Sequence, residues 1–450
     1  REAERTGALS KLHSVFVSGY VLTLRKSVLK DVQSNIGVSY ALYDEGAFRN
    51  KLKNGDMRIA PEALAVVNSG RGKGLKSIRA VVPGRFYGDL DKRALRVVHN
   101  EPLLHPFQPY NGEATANQIA YFEHVFNHSS GLATHDQIWH WKELFGLVAF
   151  VISLIAIIPL GRILLTTTTF HSLVHRVPEA APVPTGTGRI IFWSLFFVGA
   201  AIACASFIPM VDISKSLFVA ASNRHQTWFF PQRMNNPVML WALFNGLIGL
   251  ALFYLSYRFY GRMHGANPKN WGVRIDRNEL VLTVIAALII FSLYYLTLFF
   301  INYLFQVDYR FWFIGARVFQ PEMLILLGMY VPFFLVFFMA NSLRVNAAMR
   351  FKDELEWKSM LLAGIANSLG LFFIIFIQYT VFSFTGTVYW TQNWLYINLL
   401  FGIVPVMFIL PYFNRYFFKM TGKIYLGPLV TCLIFIMILL TNTVCYIPIK

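Results

Sequence analysis

Residues 142–160 read KELFGLVAFVISLIAIIPL, two opposite charges followed by an almost unbroken apolar run. A hydrocarbon core about 30 Å thick is crossed by about 20 such residues in an α-helix. From here to the C-terminus, runs of that length recur at roughly 143–165, 189–210, 237–260, 279–306, 321–343, 359–385, 393–414 and 425–447. Upstream, residues 1–142 mix charge, glycine and short alternating apolar stretches. The chain therefore reads as a soluble α/β domain over 1–142, followed by an all-α polytopic membrane bundle of about eight helices over 143–450.

Composition agrees with that division. Hydrophobic residues make up 56% of the chain and mean hydropathy is +0.49, above what a soluble globule carries. The formal net charge of +17 suggests nucleic acid at first, but its placement argues against such a partner. Residues 1–142 hold 19 Lys and Arg against 13 Asp and Glu, and most of the excess lies in and near the short loops between apolar runs. The loops after the first, third, fifth and seventh runs carry fifteen cations, while the alternate loops and the C-terminus carry six. Positive loops stay in the cytoplasm. Residues 1–142 are thus expected outside the cytoplasm, on an integral plasma-membrane protein with lipids as its surroundings. Such a domain needs an export signal or a further span, so additional sequence upstream of Arg1 is expected, as a missing N-terminal segment of the same protein.

The three cysteines, Cys204, Cys432 and Cys445, fall in the apolar runs without CxxC or Cys/His spacing, so neither structural zinc nor another cofactor is expected. His124 and His128 share a helix face at i, i+4 but lack an evident third ligand. The SGRGKG run at 69–74 lacks the spacing of a phosphate loop and reads as a flexible basic loop.

Within residues 1–142, SVFVSG at 14–19, NIGVSYAL at 35–42 and ALRVVH at 94–99 read as strands. Helices are expected from Ala47 to Lys53, over 61–68, and from Glu113 to Phe126. This alternation implies a parallel or mixed sheet covered by helices. In open α/β sheets the working groups sit just beyond the carboxyl ends of strands. Asp44 follows the second strand and His105 lies in the loop after the third. A carboxylate there accepts a histidine Nδ1–H and holds the ring as general base for a nucleophile. The order, acid then histidine, is that of the last two members of an α/β-hydrolase triad. His99, inside the strand, reads as a core or interface residue. No GxSxG occurs: Ser10, Ser14 and Ser18 lack the flanking glycines, and Ser368 falls within an apolar helix.

NIGVSYALYDEGAFRN at 35–50, RALRVVHNEPLLHPF at 93–107 and DQIWHWKE at 136–143, with FQVDYRFWF at 305–313 and TGKIYLGP at 421–428, resemble a group of polytopic bacterial α/β hydrolases, serine-hydrolase-like domains joined to a multi-span bundle. The resemblance implies Asp44 as triad acid and His105 as triad base, and carries over no nucleophile. It implies an esterase- or lipase-type acyl hydrolase, for which a lipid-like or amphipathic ester is the expected substrate. A transporter or channel component, or a membrane scaffold, with a non-catalytic hydrolase-like domain is the alternative.

Smaller expectations concern the runs themselves. Pro159, Pro332, Pro405 and Pro411 are read as kinks. Asn245, Asn341, Asn367, Gln378 and Asn442 are read as interhelical hydrogen-bonding groups. Asp308 and Arg310 are read as a local ion pair or interface anchor. Residues 344–358 are read as a short interfacial helix, and the aromatic stretches at 211–236 and 307–320 as loops.

Overall fold

The structure, a computed structural model, describes residues 12–19, 24, 26–72 and 75–448. Ser10, Lys73 and Gly74, singled out above, lie outside the described residues. Helices dominate, with a small parallel sheet near the start of the chain. The chain divides into two compact units. One runs through His140 and takes up the chain again over Phe376–Asn398; the other comprises Trp141–Ile375 and Leu399–Lys450.

In the first unit, β1 (Ser14–Ser18), β2 (Asn35–Ser39) and β3 (Arg96–His99) form a parallel sheet in the order β1-β2-β3. Val17 lies opposite Val38, and Val38 opposite Val98. Every residue of β2 and β3 is buried, as expected of strands covered on both faces. One face packs Ile36, Val38, Tyr40 and Val98 against Ala63, Val66 and Val67 of helix α1 (Pro61–Ser69). The opposite face packs Leu95 and Val97 against Tyr121 and Val125 of α2 (Gly112–Phe126). Helix α2 begins where the Asn111 side chain accepts the Ala114 N–H at 3.0 Å, a standard cap. Gly37 is dictated by packing, because a Cβ there would come within 2.4 Å of the Phe16 ring. The helix expected over 47–53 is only a 3₁₀ turn at Ala47–Arg49, ended by extended Asn50.

The second unit is a helical assembly. Its helices, taken with the two that continue into Phe376–Asn398, are α3 (Trp139–Thr166), α4 (Gly186–Leu217), α5 (Asn235–Phe259), α6 (Arg277–Phe305), α7 (Pro321–Leu343), α8 (Glu356–Thr385), α9 (Trp394–Thr421) and α10 (Leu426–Asn442). Seven helices among the described residues are long and apolar enough to cross a membrane. The eighth run differs: α10 has 17 residues and stops at Asn442. Beyond it the backbone leaves the helix to bond residues 227–231, with Thr227 N–H donating to Tyr446 C=O at 2.7 Å and Tyr446 N–H to Pro231 C=O at 3.1 Å.

Two further expectations are corrected. Residues 344–358 do not form one interfacial helix. A five-residue π-helical turn at Arg344–Ala348 closes α7, and an isolated bridge then pairs Phe351 with Ala181, held by Ala181 N–H to Arg350 C=O at 3.0 Å. Asp308 takes Arg317 as its partner, at 3.4 Å, instead of Arg310. A hairpin, β4 (Tyr309–Phe311) and β5 (Ile314–Ala316), folds the chain back and brings that second arginine to the carboxylate. Helix α4 also runs on to Leu217, further than expected, with Asp212 and Lys215 paired at 2.8 Å one turn apart.

Candidate active site

Regular pairing of β2 with β3 ends at Ser39, but the two chains continue side by side. Tyr40 N–H donates to His99 C=O at 3.1 Å, Leu42 N–H to Glu101 C=O at 2.8 Å, and Tyr43 N–H to Leu103 C=O at 3.1 Å. This irregular extension of a parallel ladder delivers Asp44 and His105 to the same place although 61 residues separate them. The carboxyl end of β1 arrives there as well. Gly19, at φ +73°, lies against the histidine, since a Cβ on it would stand 3.6 Å from His105 Cε1.

Asp44 and His105 meet directly. His105 Nδ1 lies 2.7 Å from Asp44 Oδ2, and the Asp44 side chain is almost fully buried. An ionised carboxylate only accepts, so Nδ1 carries the proton and Nε2 presents its lone pair. The other carboxylate oxygen is fixed too, accepting Gly46 N–H at 2.7 Å. Burial pulls the imidazolium of His105 down. The Asp44 hydrogen bond and charge, with the Glu45 charge, outweigh burial and leave the His105 pKa above its ordinary value. No described residue bonds Nε2.

Sequence reasoning named this pair and passed over the residue beside it. Glu45 is buried and points its Oε2 at the backbone N–H of His105, 2.9 Å away. Its Oε1 accepts the Tyr379 hydroxyl and lies 3.4 Å from Asn398 Nδ2. Burial pushes the Glu45 carboxyl above the usual carboxylate range, against the hydrogen bonds that favour its charge. Trp394 completes this side, edge-on to the His105 ring at 5.1 Å between centroids, with the Arg49 guanidinium 5.5 Å from its own ring centroid. Gly46 is small for this reason, because a Cβ there would come within 2.8 Å of Trp394. Tyr379, Trp394 and Asn398 all come from Phe376–Asn398, the end of α8 and the start of α9. Glu45, the partner of Tyr379 and Asn398, lies more than 330 residues earlier in the chain, and no local pattern signals such a pairing.

A second polar cluster braces the loop from behind. Gln108 Nε2 donates to Ser39 Oγ at 2.5 Å, Ser39 Oγ to Glu101 Oε2 at 2.9 Å, and Asn117 Nδ2 to Glu101 Oε1 at 3.0 Å. These groups are buried or half-buried, so each bond weighs more than it would in water. His105 itself opens a 3₁₀ segment, His105–Tyr110, whose Pro106 and Pro109 restrict the backbone.

The remaining candidates sit elsewhere. His99 is buried in β3 with its ring tilted against Phe16 at 6.3 Å, and burial pushes its pKa down. His124 stacks on Phe86 with centroids 4.1 Å apart. Ser14 lies at the amino end of β1, hydrogen-bonded to His13 at 2.7 Å, and Ser18 is exposed at the other end. Ser368 is within α8 and donates to Gly364 C=O at 2.9 Å, as a helical serine does. Among the described residues no group of three or more His, Cys, Asp or Glu is placed to hold a metal ion. Comparison with protein-family models, with curated proteins and with solved structures found no match.

Proposed function

We propose that Asp44 and His105 are the acid and base of a serine-hydrolase-type site that cleaves an ester or related acyl bond. The observation that carries this reading is the 2.7 Å contact between a buried carboxylate and a half-buried histidine, from the carboxyl ends of adjacent parallel strands. Chain order, acid then histidine, and placement beyond strand ends both suit α/β-hydrolase chemistry.

The steps follow from the proton inventory. As a nucleophile hydroxyl attacks the acyl carbonyl, His105 Nε2 takes its proton and Asp44 stabilises the imidazolium. The same proton then passes to the departing alkoxide, leaving an acyl-enzyme and a free alcohol. Water attacks the acyl carbon next, His105 again taking and returning a proton, and the acid is released with the nucleophile restored. The nucleophile is proposed to come from sequence preceding β1.

A lipid-like or amphipathic ester is the proposed substrate class. Tyr379, which lies near the end of α8, and Trp394 and Asn398, at the start of α9, border the dyad, and both helices are apolar enough to cross a membrane. The loop-charge asymmetry supports an extracytoplasmic site. Labelling of the full-length protein with a fluorophosphonate tests the proposal. Covalent labelling that disappears in His105→Ala is expected; labelling indifferent to that substitution, or none in the unaltered protein, would refute it.

A further inference from the structure

Two arginines of the second unit, neither used by the dyad chemistry, are satisfied very differently. Arg415 is 2% exposed and fully engaged. Its Nε donates to Asn346 Oδ1 at 3.0 Å, Nη1 to Glu356 at 2.9 Å, and Nη2 to Val345 C=O at 2.7 Å and Met349 C=O at 3.2 Å. Arg344 has one bond among the described residues, from Nη2 to Asn367 Oδ1 at 2.9 Å. Its Nε is buried without a partner, and no described carboxylate lies within ion-pairing distance.

Arg344 opens the π-helical turn that follows α7, a local geometry often associated with function. Its side chain lines a cavity of about 160 Å³ among α4, α5, α7 and α8. Phe192, Phe196, Trp241, Leu252 and Phe253 form apolar walls, and Asn245 adds a carboxamide. The walls are open at two glycines. A Cβ on Gly199 would meet nothing within 4 Å, and one on Gly249 only Ala340 Cβ at 3.9 Å.

A guanidinium in an apolar cavity cannot discharge itself by losing a proton, and an uncompensated buried charge is costly. Its fork of N–H donors matches an oxyanion. The cavity holds about five waters' worth of liquid volume, room for a headgroup oxyanion and the first carbons behind it. A longer chain must continue along the apolar helix walls. We infer that this cavity binds a lipid through an anionic oxygen group, a fatty-acid carboxylate or a phospholipid phosphate, with Arg344 as the counter-charge.

Equilibrium binding to the full chain in uncharged detergent micelles tests this. The probes are radiolabelled palmitate, dioctanoyl phosphatidylglycerol and, as the neutral control, dioctanoylglycerol. Saturable binding of an anionic probe at least about tenfold tighter than the neutral one is expected, the worth of one charge-assisted hydrogen-bonded contact. Palmitate alone would identify the carboxylate source, and phosphatidylglycerol alone the phosphate source. Arg344→Gln should weaken anion binding by a similar factor, with Arg344→Lys in between. Gly249→Leu fills the cavity while keeping the arginine, and should also abolish binding; it decides the matter if Arg344→Gln does not fold. No saturable anion binding, or binding unchanged in Gly249→Leu, would overturn the inference.

Discussion

The charge cluster beyond the sheet and the charge cluster within the helical unit handle the same cost in opposite ways. At Asp44, Glu45 and His105, two buried carboxylates face one imidazole, and every charge can be removed by moving a proton. Around Arg415 the cation is permanent, and its compensation is built from Glu356, an asparagine and two carbonyl groups. A movable proton suits chemistry, whereas a fixed cation suits structure or the holding of an anion. The two clusters should therefore respond to substitution through different observables, one through activity and one through stability.

The sharpest separation should come from His105. His105→Ala removes the proposed general base, and hydrolysis of a chromogenic short-chain ester by the full-length protein should fall by about 10²- to 10⁴-fold. Its thermal unfolding in detergent should change less than in Arg415→Met, because one buried acceptor, Asp44 Oδ2, loses its donor, at about 1–3 kcal/mol. Asp44→Asn should lower turnover as well, because the amide can donate as well as accept and no longer dictates which ring nitrogen carries the proton. A large stability loss in His105→Ala with activity retained would erase the distinction between the two clusters.

Arg415→Met is the converse. It keeps the stem volume but leaves Asn346 Oδ1 and two buried backbone carbonyls without their donor, and Glu356 with Lys419 alone, at 3.1 Å. A buried acceptor deprived of its donor costs about 1–3 kcal/mol, and three lose theirs here, seen as a lowered unfolding midpoint. Glu356→Gln should cost far less, about 1 kcal/mol or below, since that side chain is 44% exposed and Arg415 retains its other acceptors.

How much of this was legible in the sequence depended on the distance over which each signal acts. The apolar runs and the three strands are local patterns, and the structure has helices and strands at those places. Asp44 and His105 were legible because position beyond a strand end is also local information. Glu45 was not, although it adjoins Asp44, since its meaning comes from Tyr379 and Asn398. Gly46 is hemmed in on two sides, by the nearby Arg49 guanidinium at 2.6 Å from a would-be Cβ and by the remote Trp394 at 2.8 Å, and only the first is local information. The shortened last helix and the bridge at Phe351 likewise follow from remote backbone pairing. Hydropathy reads apolar length well, but it carries no information about which carbonyl a distant N–H will find.

Tyr379 offers a smaller test of the first cluster. Tyr379→Phe removes the hydroxyl donor to Glu45 Oε1 and leaves only the long contact from Asn398. A buried acceptor deprived of its partner costs about 1–3 kcal/mol. The loss should be smaller in acid, where a protonated Glu45 no longer needs that donor. A stability difference between Tyr379→Phe and the unaltered protein that is the same at all pH values would mean that Glu45 does not titrate.

The finest distinction lies in pH dependence. Glu45 and His105 are both held above their ordinary values, so the folded state binds each proton more tightly than the unfolded chain. Their contribution to stability is fully present below those ordinary values and is lost as pH rises through the raised ones. Activity runs the other way, because His105 must be neutral to accept a proton. The acid limb of the rate profile should therefore lie above the ordinary imidazole value of about 6.5. Asp44→Asn should move that limb downward, since Asp44 contributes most of what holds the proton on the ring. Glu45→Gln should move it in the same direction but less, as Glu45 acts on the ring through charge alone. The smaller shift requires Glu45 to be ionised at the pH of the limb. A limb that stays in place in Glu45→Gln but moves in Asp44→Asn would show Glu45 protonated there, serving as a neutral brace to the His105 backbone while Asp44 alone tunes the ring.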